Sequence, residues 1–365
     1  MKKQESLWAL KRSKEISIYR IQPVMPGFSR YVVSTPESAR LLNHPEIYGF
    51  EYIHILREGM KRILGDSIFR KIFSVLDDSQ TTVLHFLRGG LNFGLLDLLY
   101  RVYGFTRHSA SFMTSQRYKT RAHWKIKMDQ YRKFVLHPRM NIFSGDVVAT
   151  GTTLENGLAI IHRLLKKNHY CLANFIFFTV GGKETEAILL RYFKKYRELY
   201  KGVRFFLIYL EGQFHLVEKK NEFRICIPET DLVRKGALLT PEFEKSAYAS
   251  LYPALERCVV YDVGARAFHY QEHLEDVTGY WKSVSKLPLT VEEALLERWP
   301  GEHYTGLETL RKYQKRVWPN LSPGFVKELY RLYGNSRRRN AAVAGKKGSL
   351  KRLAFKRIKE LHESH

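Results

Sequence analysis

Asn141 to Leu154 read NIFSGDVVATGTTL. The apolar run Ile142 to Val148 predicts a strand, and Leu154 to Lys167 predicts a helix with apolar residues at helical spacing. Between them Ala149, Thr150, Gly151, Thr152 and Thr153 form a turn. Backbone N–H groups at such a helix start converge on an anion and are assisted by the helix dipole. Gly151 lets the backbone approach closely. The hydroxyls of Thr150 and Thr153 can donate to phosphate oxygens. Asp146, at the carboxyl end of the strand, can accept from ribose hydroxyls, and ligands bind at that edge of open parallel sheets. The plainer reading is an ordinary strand–turn–helix connection whose threonines cap a helix.

The neighbouring pattern decides what sheet this strand joins. Upstream, Thr81 to Leu87 reads as a strand, Arg88-Gly89-Gly90 as a turn, and Leu91 to Tyr103 as a helix. Ser109 to Thr114 reads as a second short strand. Downstream, Leu172 to Val180 is an apolar run fit for a central strand buried on both faces. Gly181-Gly182 turns into a helix over 184–200, and Val203 to Leu210 is another strand. Gly181-Gly182-Lys183 lacks the spacing of a P-loop and reads as a turn. Strands alternating with helices at this spacing imply βαβ crossovers, hence an α/β fold around a parallel sheet. Before it, Ile16 to Tyr19 alternates like a strand, and Thr35-Pro36 marks a helix start. After about residue 240 the rhythm weakens: 242–257 and 291–299 look helical, and 265–282 looks aromatic-rich and irregular. Gly334 to Ser349 has the composition of a flexible linker.

The segment NIFSGDVVATGTTL resembles the phosphoribosyl-pyrophosphate (PRPP) motif of type I phosphoribosyltransferases. There, apolar residues lead to two acidic residues, two apolar positions and a TGxT-like turn. The second acidic position falls on Asp146; the first is Gly145 here. The resemblance implies that Ala149 to Thr153 hold the PRPP 5-phosphate. Arg88, Gly89 and Gly90 fit the family's pyrophosphate-binding loop, where a cis peptide is expected at Arg88–Gly89. The family's mobile basic lid falls on residues 107–139, where Arg117, Lys119, Arg121, Lys125 and Lys127 recur at odd positions. A solvated loop or an RNA-contacting surface is the other reading of that stretch. Ala149 stands where members acting on 6-oxopurines often carry Asp, which argues against hypoxanthine or guanine. The resemblance covers about residues 80–215.

It implies an α/β, parallel-sheet type I phosphoribosyltransferase-like core over 61–240. Residues 1–60 are then an N-terminal accessory region, 241–310 an accessory, mostly helical region, and 311–365 a basic tail. The implied activity is transfer of ribose 5-phosphate from PRPP to a small-molecule, nucleobase-like or other acceptor, with release of pyrophosphate and dependence on Mg²⁺. Asp146, Arg117 and Lys119 would carry catalysis, with Asp146 holding the metal through water. The alternative is a non-catalytic PRPP- or nucleotide-binding regulator whose tail binds nucleic acid. Tyr261, Asp262, Arg266 and His269 either line the acceptor side or pack the accessory region.

Charge and composition bound the rest. The 365 residues carry a net charge of +25, with 44% hydrophobic residues, which rules out global disorder. The excess is confined to residues 1–14 (net +4), 107–139 (net +8) and 311–365 (net +13), the remainder being neutral. The last of these suits RNA or DNA, or a partner-docking helix over 350–361. Cys171, Cys226 and Cys258 form no CxxC pair, which supports neither a disulfide framework nor a cysteine zinc site; the first two read as buried packing residues. No stretch suits a secretory signal or a membrane helix. The sequence reads as a cytoplasmic protein without a membrane partner, and assembly as a homodimer is left open.

Overall fold

The computed structural model describes residues 4–119, 124–217, 232–246, 248, 252, 255–257, 263–298 and 306–363, with the side chains of 115–130, 298 and 340–343 outside that description. It is a mixed α/β molecule built on a large, mostly parallel sheet. Its strands are β1 (Ser6–Arg12), β2 (Ser17–Gln22), β3 (Phe28–Ser34), β4 (Thr81–Phe86), β5 (Ser109–Lys119), β6 (Trp124–Lys133), β7 (Arg139–Val148), β8 (Cys171–Gly182), β9 (Arg204–Leu216) and β10 (Leu232–Leu239). The order is β1-β2-β3-β9-β8-β7-β4-β5-β6, with β10 paired to β9 off this path. The run from β3 to β5 is parallel throughout. β1, β2, β6 and β10 pair antiparallel to their neighbours.

Alternation along β8 shows why the sheet is covered on both faces. Phe175 and Phe177 enter one core cluster; Ile176, Phe178 and Val180 enter the other. A strand with large apolar residues on both sides can only be central. One face is covered by α5 (Thr152–Lys167) and α6 (Lys183–Leu199), through Leu158, Ile161, Leu189 and Tyr196. The other is covered by α1 (Pro36–Asn43), α2 (Gly49–Gly65), α3 (Ser67–Phe73) and α4 (Leu95–Tyr103). Thr35 caps α1 and accepts the Ser38 N–H at 3.1 Å in a reciprocal capping box.

Several elements differ from the reading of the sequence. The strand expected at Ser109 to Thr114 runs on as β5, and the basic stretch expected as a loop is an antiparallel hairpin of β5 and β6, paired from Phe112↔Lys133 to Lys119↔Trp124 with register shifts on either side of Gln116. The expected helix from Leu91 is broken at Gly94, which sits at φ +61 between a 3₁₀ turn and α4. The stretch 265–282 is helical: α7 (Pro241–Ser246) is followed by α8 (Val263–Phe268) and α9 (Tyr270–Val284). Val277, Tyr280, Trp281 and Val284 bury one face of α9 at helical spacing, which the dense aromatics hid. After α10 (Val291–Arg298) and α11 (Leu307–Val317), α12 runs from Pro323 to Ala344, straight through most of the expected linker. Arg, Ala and Asn there tolerate a helix, and Gly334 alone does not break it. The chain turns only at 345–348 before α13 (Ser349–Glu363). Cys171 is partly exposed rather than buried; Cys226 and Cys258 lie outside the described residues. Among the described residues no helix is long and apolar enough to cross a membrane.

Candidate functional site

Counted from β4, the strands β6-β5-β4-β7-β8-β9 lie in the order 3-2-1-4-5-6. From β4 the chain leaves toward β5 and then returns to the other side through β7. Loops after β4 and β7 therefore diverge and open a crevice at the carboxyl edge, where ligands bind in such sheets. Those two loops are the ones that carry Arg88-Gly89-Gly90 and Asp146 to Thr153.

Their contacts are close. A Cβ on Gly89 would stand 3.0 Å from Asp146 Oδ1, and one on Gly90 would stand 3.1 Å from the Gly145 carbonyl oxygen. Asp146 is half-buried, and its Oδ1 accepts the Val147 N–H at 2.9 Å. This local bond holds the carboxylate at the mouth of the crevice. Gly151, at φ +75, starts α5, and no side chain caps that helix. Its first N–H groups are thus left for a ligand. A Cβ at Gly151 would also stand 2.2 Å from Ile188 Cδ1, the end of a flexible side chain, so it is the positive φ that calls for glycine. Thr150 Oγ1 and Thr152 Oγ1 are 3.2 Å apart, and Ala149, Thr152 and Thr153 are all half-buried around the turn. Arg88 is exposed at the rim, and the cis bond lies at Leu87–Arg88, one peptide before the expected position. Beneath the loop, burial lowers the pKa of His85, whose ring stacks on Phe112.

β5 pairs with β4 only up to Phe86↔Met113. The remaining residues of the strand pass beyond the carboxyl edge, about 20 Å at the rise of an extended chain. That extension carries the backbone of Arg117 and Lys119; their side chains, with the rest of 115–130, lie outside the described residues.

Gly145 has no room for a side chain. A Cβ at Gly145 would stand 2.5 Å from Phe93 Cγ, so the ring fills the space a side chain would need. Phe93 also helps wall an apolar cavity beside Asp146, with Tyr52, Val147, Val180, Leu210 and Val263. Asn92 donates to the Val263 carbonyl at 3.0 Å, and its Oδ1 is buried with no hydrogen-bond partner among the described residues. Burial raises the Tyr52 hydroxyl pKa, against the opposing influence of Arg266 stacked at 4.5 Å on its ring.

Arg266 borders the cavity but is committed to backbone. It donates to the carbonyls of Ile47 (2.7 Å), His44 (2.7 Å) and Leu41 (3.2 Å), and so locks the connection from α1 to α2. His269 caps α9 by accepting the Glu272 N–H at 3.3 Å. Tyr261 and Asp262 lie outside the described residues. Tyr52, Asn92, Phe93 and Val263 were not singled out in the sequence, because only the fold carries α2 and α8 to this edge. Among the described residues no group of three or more His, Cys, Asp or Glu gathers to hold a metal.

No family model matches the chain, and no curated protein matches it. Solved structures do match, among them the adenine phosphoribosyl transferase from Trypanosoma brucei in complex with AMP, pyrophosphate and ribose-5-phosphate. That match has 14% sequence identity and a TM-score of 0.32, and it covers 54% of this chain and 87% of that one. At that score the superposition is too loose to carry an activity across.

Proposed function

We propose that the chain binds PRPP in the crevice between β4 and β7 and transfers its ribose 5-phosphate to an acceptor, releasing pyrophosphate. One observation carries this reading. A glycine loop and an uncapped helix start meet at the topological switch point, with the Asp146 carboxylate between them. Two anion-binding loops around one carboxylate suit a sugar with phosphates at both ends.

In this reading the amides and hydroxyls of Ala149 to Thr153 bind the 5-phosphate, and Asp146 accepts from a ribose hydroxyl. The C1–oxygen bond to pyrophosphate breaks through an oxocarbenium-like state, and C1 bonds to the acceptor. Gly89 and Gly90 let their loop pack against Asp146 and the Gly145 carbonyl, with its amides offered to pyrophosphate, while Arg88, Arg117 and Lys119 neutralise the growing charge. Positioning and water exclusion then account for most of the rate. A single carboxylate suits a Mg²⁺ ion that keeps most of its water and takes other ligands from substrate phosphates. When bound, Mg²⁺ would neutralise pyrophosphate, with Asp146 holding it through water.

Isothermal titration with Mg–PRPP tests the binding step. Wild type should bind, and Asp146→Asn and Gly151→Val should bind at least about tenfold more weakly, a loss of about 1.4 kcal/mol. Absence of binding by wild type at millimolar PRPP refutes the proposal. The Phe93 ring on Gly145 favours a second reading, a PRPP- or nucleotide-binding regulator without turnover. A screen of nucleobases and other small acceptors, read by pyrophosphate release, separates the two.

A further inference from the structure

The most lopsided charge in the chain lies in its last two helices, outside the loops that form the crevice. Residues 329–359 hold eleven Lys and Arg and no Asp or Glu. They span most of α12, the turn at 345–348 and most of α13. Of those cations Arg357 is buried, paired with Glu46 (2.6 Å) and Glu256 (3.4 Å). Arg337, Lys356 and Lys359 reach Glu292, Glu360 and Glu363 at 4.0, 3.8 and 3.4 Å. Among the described residues no ion pair engages Arg338, Lys346, Lys347, Lys351 or Arg352, and all five are exposed. Phe355, 53% exposed, stands among them with Lys351 Nζ 5.9 Å from its ring centre.

This face is held rigidly. Leu350, Ala354 and Leu361 of α13 pack with Val277, Tyr280 and Trp281 of α9. That same packing rules out membrane insertion, which needs the apolar face of the helix free to enter lipid. A packed helix and turn that carry exposed guanidinium and ammonium groups, with one exposed ring beside Lys351, have the chemistry of a phosphate backbone site, with the ring offered to a base. We infer that the turn between α12 and α13, with the start of α13, is a docking surface for the phosphate backbone of a nucleic acid.

The test uses the full chain and fluorescent oligonucleotides in four forms: single- and double-stranded, RNA and DNA. Anisotropy is followed as salt is raised from about 0.05 to 0.2 M. The variant K346E/K347E/K351E/R352E reverses four exposed charges, two of them in the first turn of α13, where acidic residues suit the helix dipole. A control, K166E/K167E/K194E/K201E, reverses four exposed lysines elsewhere and has the same net charge. Wild type and control should bind at least one form, with affinity falling steeply as salt rises. The first variant should lose at least about tenfold, and for a single strand its log–log salt slope should be shallower by about 3. Three outcomes overturn the inference. One is no binding of any form by wild type at the lowest salt, another is equal loss in both variants, and the third is capture of anionic vesicles or poly-glutamate with no oligonucleotide bound.

Discussion

Two glycines show how much one missing side chain can decide. Gly151 was legible in the sequence as the turn glycine between a strand and a helix, and it sits at φ +75. The structure adds the end of the Ile188 side chain, which would have to swing aside for a Cβ there. Gly145 was legible only as a departure from a motif. Its cause, the Phe93 ring, arrives from another loop, and no local pattern announces it. The two residues therefore predict different behaviour. Gly145→Asp restores the acidic pair of the family motif on paper but drives a Cβ into the ring. It should lower stability by about 1–3 kcal/mol in urea denaturation, the usual range for overpacking. Adding Phe93→Ala should relieve that strain, so the double variant should be more stable than the sum of the two single losses allows. Strict additivity would mean that the ring does not set the residue at 145.

At the scale of elements, the junction between β9 and α1 holds a buried acid. Glu211 sits at φ +67, where the pairing of β9 with β8 shifts register. Its side chain accepts from the Thr35 N–H (3.1 Å) and the Ser38 hydroxyl at the start of α1, and from the Thr240 hydroxyl (3.4 Å). Burial is the main cause that raises its pKa from 4.5 to about 7; Ser38, Ser34 and Thr35 oppose the shift and Glu242 adds to it. The fold therefore takes up a proton that the unfolded chain releases, and stability should fall as pH rises from about 4.5 to about 7. Over that window the linked loss is on the order of 3 kcal/mol. Glu211→Gln should flatten this part of the stability–pH curve, and thermal melts at pH 5, 6 and 7.5 would check it. An unchanged slope would place the proton elsewhere. This contact lay beyond sequence reading, since the pairing of β3 with β9 brings together residues 176 positions apart in the chain. The central strands and α5 were readable, because β8 is apolar on both faces and α5 follows a turn with its own signature. Of the hairpin of β5 and β6 only Ser109 to Thr114 was, because beyond it the strands carry charge where the usual strand signal is apolar alternation. The helix α9 was not, since its aromatics crowd several faces at once.

For the whole molecule, charge and packing gave opposite impressions of residues 311–365. By composition they form a basic arm. By packing they are part of the body: Val317, Trp318, Leu321, Val326 and Leu329 enter the same core cluster as α5 and α6. Trp318 has no exposed surface, donates its Nε1–H to the Leu239 carbonyl at 3.0 Å, and meets Tyr313 edge-on at 5.1 Å. Lysines and arginines fill the outward positions of these helices, and their number masks a sparse but regularly spaced set of apolar residues. The consequence is a test that an independent arm would pass and an integrated segment would fail. Trp318→Ala should cost about 3–5 kcal/mol, as large-to-small changes in a packed core do. A chain ending at residue 306 should lose more, because it uncovers the surface of β1 and β10 together with the apolar face of α9. Denaturant melts followed by tryptophan fluorescence and circular dichroism would measure both. A truncated chain that kept the wild-type midpoint would show that the segment merely rests on the core. The expected destabilisation would mean that the basic surface cannot be removed without loosening the sheet, so its role has to be probed by reversing exposed charges rather than by deletion.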